Sequence, residues 1–251
     1  MFNNDEGREN FNKAMLSIMT PIYLIHPIIT VLTHLQIKAI RNGTFGPWEL
    51  ILIVYGNKIE FGYFDKEPNI KIIYFRERLS IARAFNLGFK QANGDIICPM
   101  HNDVIVPPGW NPLLEKVAHE GKMAFPMVRE DDICKKRGIK PAFPTQVPSC
   151  CYMLSRETWN QLDGYDEDFE EIHWEDTDLF CRAQKLDIPF VRCNITVKHE
   201  RGATRCFNRE EGNEWFHKNY RLWCKKHDIP LMGHKGIIPL PRISEKPEVF
   251  D

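Results

Sequence analysis

The stretch ARAFNLGFKQANGDIICPMHNDVIVPPGW, residues 82–110, decides the fold class. Its apolar residues recur at helical spacing as far as Asn93-Gly94, a pair typical of a helix end. The apolar run Asp95–Met100 follows directly and predicts a buried strand. His101-Asn102-Asp103 then form a polar break, and Pro-Pro-Gly stops regular structure. The order of helix, buried strand and polar break is that of an α/β protein.

The residues before this stretch repeat the alternation. Met15–Thr20 predicts a strand that Pro21 stops, and Glu49–Val54 and Asn69–Phe75 predict two more buried strands. Between the first two, one helix face is predicted at Ile28, Leu32, Leu35 and Ala39. The order β-α-β-β-α-β predicts a mostly parallel sheet covered on both faces. Ligands of such sheets bind at the carboxyl ends of the strands.

The second half of the chain is less regular. Residues 110–120, 174–187 and 214–227 predict helices, and residues 146–155 and 189–199 predict strands. Ser155 is placed to cap a further short helix. The helix of residues 174–187 has its predicted apolar face at Leu179, Ala183 and Leu186.

Composition indicates an ordinary soluble protein. Of 251 residues, 43% are apolar and 27% are charged, and the net charge of −1 favours neither nucleic acid nor an anionic membrane. The segment Ala14–Ile37 has no acidic or basic residue, but its prolines and threonines favour a buried strand, a loop and a helix over a membrane span. Eight cysteines without a CxxC pair, and no secretory signal, predict free thiols in a reducing compartment.

Charge is unevenly distributed in the second half. Residues 163–178 hold nine acids and no Lys or Arg, and residues 198–226 hold eight basic residues against four glutamates. The pattern fits a solvated surface, or an acidic site beside a cationic site for phosphate. Trp174 beside Glu175-Asp176 fits either a helix cap or a buried general base.

The segment after the last predicted strand leaves similar alternatives. His199 fits a structural histidine or a metal ligand. Arg201 and Arg205 fit two solvated arginines or a clamp on a diphosphate.

Taken together, these motifs resemble the inverting family 2 glycosyltransferases of the GT-A fold. The resemblance covers roughly Leu16 to Arg205. It is carried, in order, by LSIMTPIY, WELILIVYGN, the opening stretch, LDGYDEDF and WEDTDLFCRAQ. It implies a Rossmann-like, mostly parallel sheet flanked by helices, with a helical and extended C-terminal tail. The implied catalytic domain is residues 1–207, with a nucleotide-sugar half at about 14–110 and an acceptor half at 111–207. Residues 208–251 would be an extension packed on the same domain.

The resemblance assigns a metal site and a base. Asp103 matches the last acid of the family's metal-binding D-x-D, His101 stands where its first acid normally stands, and His199 completes the metal shell. Asp176 would be the base and Glu175 would bind the acceptor beside Trp174, although the two acids could exchange roles. If His101 is a ligand, it favours Mn²⁺ over Mg²⁺. The alternative is that His101 hydrogen-bonds the donor's ribose or phosphate, with Asp103 and His199 left to hold the metal.

The resemblance also assigns the nucleotide-sugar side, with a UDP-sugar as the first expectation. Tyr55 stands where an acid usually reads the base, so the donor is not fixed by this match. Asn86 and Gly88 match the family's N-x-G. The expected nucleotide-sugar contacts are Thr20, Pro21, Tyr23, Tyr55, Arg83, Asn102, Arg201 and Arg205.

The function implied is transfer of a sugar from a nucleoside-diphosphate sugar to an acceptor hydroxyl, with inversion. The acceptor could be a glycan, a protein, a lipid carrier or a modified nucleic acid. Residues 131–148 could line the acceptor side or act as a lid, and residues 209–226 could touch an anionic acceptor or a membrane surface. The location expected is cytoplasmic, with peripheral membrane contact as an option. The alternatives are a non-catalytic nucleotide-sugar-binding protein of the same fold and a nucleotidyltransferase.

Overall fold

The predicted order of strands and helices in the first half is confirmed. A computed structural model describes residues 14–56, 67–130, 148–200 and 209–231. The first half contains β1 (Leu16–Leu24), α1 (Pro27–Gly43), β2 (Trp48–Gly56), β3 (Ile70–Phe75), α2 (Ile81–Gln91) and β4 (Ile96–Pro99). The second half contains β5 (Val104–Ile105), α3 (Asn111–His119), β6 (Met123–Glu130), β7 (Leu154–Ser155), α4 (Arg156–Gln161), α5 (Glu175–Lys185), β8 (Phe190–His199) and α6 (Arg209–Lys226).

The main sheet has five strands in the order β3-β2-β1-β4-β7, and only β7 runs antiparallel. Its strands are apolar on both faces because helices cover both. Along β2, Leu50, Leu52 and Val54 belong to a core shared with α1 and α3. The alternate residues Ile51 and Ile53 belong to a second core, shared with α2, α4 and α5. The predicted α/β class, with a mostly parallel sheet flanked by helices, is confirmed.

A second sheet of three strands, β5-β8-β6, extends this core. An isolated bridge between Ala124 of β6 and Met153 ties it to the main sheet. The short strand β5 follows the polar break directly, and its Val104 pairs with His199 at the end of β8. This pairing brings two distant parts of the chain to the same edge.

The prediction that Pro21 stops the first strand is wrong, because β1 continues to Leu24. The Met100 N–H donates to the Met19 carbonyl, so the backbone of Met19 faces β4. Two residues on, Pro21 faces the same side, past Met19, the last residue of β1 that pairs with β4. Its missing N–H therefore costs no ladder hydrogen bond.

The helix α1 is confirmed, but its predicted buried face is wrong. Ile28 and Leu35 are 39% and 50% exposed. The buried face is rotated and includes two polar side chains: the Thr33 hydroxyl donates to the Ile29 carbonyl, and the Gln36 side-chain nitrogen donates to the His101 carbonyl. The buried residues are Ile29, Thr33, Gln36, Ile37, Ile40 and Gly43.

Three smaller differences concern the second half. Leu186 ends α5 and is 52% exposed, so it does not belong to the buried face. The strand expected over residues 146–155 is reduced to β7, while the cap by Ser155 is confirmed by its bond from the Thr158 N–H. Strand β6 was not predicted at all.

Two expectations about the whole chain can be compared with the described residues. The six cysteines among them, at positions 98, 150, 151, 181, 193 and 224, are all free thiols, as predicted. None of the helices in the described ranges is both long and apolar enough to cross a bilayer. Trp223 of α6 packs against Trp174, but the domain boundary at about residue 207 stays a prediction.

Candidate active site

The polar break after β4 is a loop held in place through its backbone. The His101 N–H donates to the Cys150 carbonyl at 2.8 Å, and the Gln36 side-chain amide donates to the His101 carbonyl at 2.5 Å. The Asp103 carbonyl accepts from the Glu200 N–H at 2.9 Å. Three separate segments thus fix the loop, which leaves its side chains free to serve a ligand.

His101, Asp103 and His199 form one cluster. Each offers one ligand atom, and these atoms lie within 4.8 Å of one another. His199 Nε2 is 3.2 Å from Asp103 Oδ1, a buried carboxylate oxygen. A buried carboxylate beside two imidazoles fits a divalent cation, and this mixture of ligands suits a borderline metal such as Mn²⁺.

The surroundings of the two histidines shift their pKa values in opposite directions. Burial lowers the pKa of His101, and the nearby Asp103 only partly opposes this. Burial would also lower the pKa of His199, but the Cys150 sulfur and the Asp103 carboxylate beside the ring raise it to about 11. A metal bound by His199 would take the place of a proton on its ring.

The acidic pair lies at the start of α5, as predicted. Glu175 is buried and its Oε2 has no hydrogen-bond partner. Burial, followed by the nearby Asp176 charge, raises the pKa of Glu175 well above its usual value. Asp176 is partly buried and accepts from the Thr177 N–H at 2.7 Å. Its charge opposes, as a minor effect, the lowering of the His101 pKa by burial, so the Asp176 carboxylate lies within electrostatic range of His101.

The chain enters α5 through an unusual backbone. Glu171, His173 and Trp174 all have φ between 59° and 76°, the left-handed region that non-glycine residues seldom adopt. The Trp174 ring packs 4.9 Å from Tyr220 and 5.1 Å from Trp223, both in α6. The indole therefore packs against α6, and the acceptor contact expected of it stays a prediction.

Tyr23 and Tyr55 are paired in register near the ends of β1 and β2. Their rings stack 5.3 Å apart at 14°, and the Arg78 guanidinium lies 4.9 Å over the Tyr23 ring. Tyr23 thus contacts both Tyr55 and Arg78 within the protein, and the nucleotide contacts expected of Tyr23 and Tyr55 stay predictions. Tyr55 itself is 3% exposed, and burial raises the pKa of its hydroxyl.

Thr20 and Asn102 carry unsatisfied polar atoms beside the loop. Thr20 Oγ1 and Asn102 Nδ2 are buried and have no hydrogen-bond partner, as expected of groups that await a polar ligand. Pro21 is also buried, within β1. Arg83 is half-exposed and lies 3.5 Å from Glu77, and its nucleotide contact stays a prediction.

Of the remaining residues that the resemblance singles out, some make contacts that hold the fold together, and others are not among the described residues. Asn86 binds the backbone of Tyr165 on both sides of its amide, and a Cβ on Gly88 would lie 2.9 Å from Ile53. The N-x-G thus holds α2 against the sheet and the following loop. Arg201, Arg205 and the expected acceptor segment up to residue 147 lie outside the described residues.

Two residues near the site were missed from the sequence. Gln36 holds the loop through the His101 carbonyl, and Cys150 places its sulfur beside the His199 ring. A polar residue at helical spacing with Thr33, Ile37 and Ile40 was the available signal for Gln36. For Cys150, the available signal was its position in a predicted strand, which places it in the sheet but not beside His199.

Several acids of the acidic run pair with lysines of α6 within the protein. Lys226 lies 2.7 Å from both Asp166 and Asp168, and Lys218 lies 2.7 Å from Glu170. These ion pairs join α6 to the acidic run. They favour an internal contact over the anionic or membrane partner considered for residues 209–226.

A family model places the chain in a known class. The model described as "Glycosyl transferase family 2" matches residues 36–174, more than half of the chain. The chain therefore belongs to glycosyl transferase family 2, and the domain it forms is a glycosyltransferase domain. No curated protein sequence matches the chain significantly.

Solved structures share the fold at low sequence identity. GalNAc-T7 with UDP, GalNAc and Mn²⁺ is 12% identical, with a TM-score of 0.61 over 84% of this chain and 48% of its own. TarS of S. aureus is 12% identical, with a TM-score of 0.62 over 87% and 40%. The mannosyltransferase PcManGT of Pyrobaculum calidifontis, in complex with GDP-Man and Mn²⁺, is 14% identical, with a TM-score of 0.58 over 82% and 64%. The chain thus spans less than two thirds of each.

Proposed function

We propose that the protein is a metal-dependent, inverting glycosyltransferase that moves a sugar from a nucleoside-diphosphate sugar to an acceptor hydroxyl. The observation that carries this proposal is the cluster of His101, Asp103 and His199, with the charge of Asp176 near enough to act on His101. The family membership supports the reaction class. The six free thiols among the described residues favour a reducing compartment such as the cytoplasm.

The donor's diphosphate would lie at the histidine cluster. His101, Asp103 and His199 would hold the divalent metal, which supplies positive charge that stabilises the departing diphosphate. Mn²⁺ is favoured because two imidazoles are softer ligands than the oxygen set that Mg²⁺ prefers. The unpartnered Asn102 and Thr20 groups would hydrogen-bond the donor. Two fold neighbours were solved with Mn²⁺, and their ligands, UDP and GDP-Man, leave UDP and GDP as the first donors to test.

The acidic pair would serve the acceptor side. Asp176 accepts the proton of the acceptor hydroxyl as it attacks the anomeric carbon. Burial raises the pKa of Glu175, so this side chain keeps its proton more readily and can donate a hydrogen bond to the acceptor. One displacement inverts the anomeric configuration.

A panel of nucleotide-sugars, tested with Mn²⁺ for hydrolysis and transfer, examines the proposal. We expect release of a nucleoside diphosphate from one donor, and NMR of the product should show the inverted anomer. Binding of a donor without turnover would instead identify a non-catalytic binding protein. Release of pyrophosphate would identify a nucleotidyltransferase, and a retained anomer would exclude the single displacement.

A further inference from the structure

The loop from Glu170 to Trp174 leads directly into the acidic pair. Three of its residues hold left-handed backbone conformations, which persist only where neighbours impose them. Trp174 is the N-cap of α5 but supplies no side-chain capping bond. The starting point of α5 is therefore fixed by whatever holds this loop.

Asn219 of α6 holds the loop from behind. Its side-chain nitrogen donates to the carbonyls of Glu170, Ile172 and His173 at 2.8, 3.0 and 3.0 Å. The residue is 1% exposed. A carbonyl can only accept, so the amide nitrogen must face the loop, and two hydrogens serve three carbonyls. One buried side chain thus fixes the backbone two residues before Glu175.

The opposite side of the loop touches the nucleotide half of the protein. The Ile81 N–H, at the start of α2, donates to the Glu171 carbonyl at 2.8 Å. Arg78 Nε lies 2.6 Å from Glu171 Oε2, and the same guanidinium covers Tyr23. The loop is therefore held between α6 and the part of the chain expected to bind the donor.

We propose that Asn219 is a positioning residue, which sets the location of the Glu175–Asp176 pair relative to the histidine cluster by clamping this loop. The inference rests on the proposed function, because it assigns the pair its role in the reaction. The cluster lies on the β4–β5 loop and at the end of β8, which are other elements. Loss of the clamp should thus misplace the base and leave donor and metal binding intact.

The experiment compares Asn219→Ala and Asn219→Ser with Lys225→Ala, an exposed control on the same helix. Steady-state kinetics give kcat, the donor KM and the Mn²⁺ activation constant. Hydrogen exchange on the full chain reports the amides of residues 171–176. For Asn219→Ala we expect kcat to fall about tenfold to a hundredfold, with the donor KM and Mn²⁺ constant within about twofold. The same loop amides should exchange faster, and Asn219→Ser, which keeps one donor, should be intermediate.

The outcomes separate this inference from the proposed function. A kcat equal to that of Lys225→Ala, or a parallel loss of kcat, donor affinity and metal affinity, would overturn the positioning role. If Asn219→Ala does not fold, Asn219→Ser decides by the same criteria. If the wild-type protein turns over no donor, the proposed function has failed. Hydrogen exchange then tests the role of Asn219 by itself, and unchanged exchange at residues 171–176 in Asn219→Ala would overturn it.

Discussion

His101 stands where the resemblance to the family places the first acid of a D-x-D motif. Its ring centroid lies 6.1 Å from that of His199, and Asp103 completes the cluster. Under the proposed function, His101 would offer the metal an imidazole where that motif offers a carboxylate. We therefore expect this residue to influence the metal preference.

Replacing His101 by aspartate should move the metal preference toward Mg²⁺. The variant His101→Asp offers two carboxylates and one imidazole, a harder ligand set. We expect the ratio of Mg²⁺-supported to Mn²⁺-supported turnover to rise about tenfold. The exposed His119→Asp serves as control. An unchanged ratio would show that His101 does not ligate the metal.

The roles of the two acids can be separated by amide substitutions. Asp176→Asn should lower kcat by about 10²-fold or more while UDP binding, measured by calorimetry, stays within about twofold, because only the base is lost. Glu175→Gln keeps a hydrogen-bond donor at the buried position and should mainly raise the acceptor KM. The reverse result would exchange the two roles. Equal loss of turnover and UDP binding in Asp176→Asn would argue against a base at this position.

At the scale of elements, the alternation of strands and helices was readable because periodicity and stop signals agree. The buried face of α1 was not, since its first turns carry apolar residues almost all round and only tertiary contacts choose among them. Gln36 is buried because it binds a loop carbonyl 65 residues away in sequence. Strand β6 was missed because Pro126 interrupts a short apolar run.

Gly94, in the turn between α2 and β4, packs closely against the start of β1. A Cβ there would lie 2.4 Å from the Met15 carbonyl oxygen and 2.6 Å from Ser17 Oγ. These atoms lie at or just before the start of β1. Because β1 pairs with β2 on one side and with β4 on the other, its backbone cannot shift to make room for a Cβ. Gly94→Ala should therefore lower the free energy of unfolding by about 1–3 kcal/mol.

Urea denaturation measures this loss. The exposed Lys90→Ala at the end of α2 should change the free energy of unfolding by no more than about 0.5 kcal/mol. If both variants unfold at the same urea concentration with the same slope, the close approach at Gly94 is not as described.

At the scale of the whole molecule, the site is assembled from distant segments. The sequence could place the β4–β5 loop, the end of β8 and the start of α5, because each follows or begins a predicted element. It could not place α6, since the contacts of Asn219 and Lys226 with the acidic loop depend on tertiary packing alone. The cluster of His101, Asp103 and His199 was thus predictable, and the contacts of α6 behind the acidic pair were not.

Metal binding should stabilise the whole fold. A ligand at a hundredfold excess over its Kd stabilises by about 2.7 kcal/mol. For a chain of this size, that raises Tm by about 5–10 °C. We expect Mn²⁺ to produce this shift and EDTA to reverse it, measured by differential scanning fluorimetry. In His199→Ala the shift should disappear, and its persistence would locate the metal elsewhere.

The most direct measurement is release of nucleoside diphosphate from the accepted nucleotide-sugar as a function of Mn²⁺ concentration, for the wild-type protein and Asp103→Ala. Asp103 provides the buried carboxylate of the cluster, and the exposed carboxylate variant Glu157→Gln on α4 is the control. We predict saturable, Mn²⁺-dependent release by wild type and control, and a loss of about 10²-fold or more in Asp103→Ala. Metal-dependent release that persists in Asp103→Ala would contradict the account.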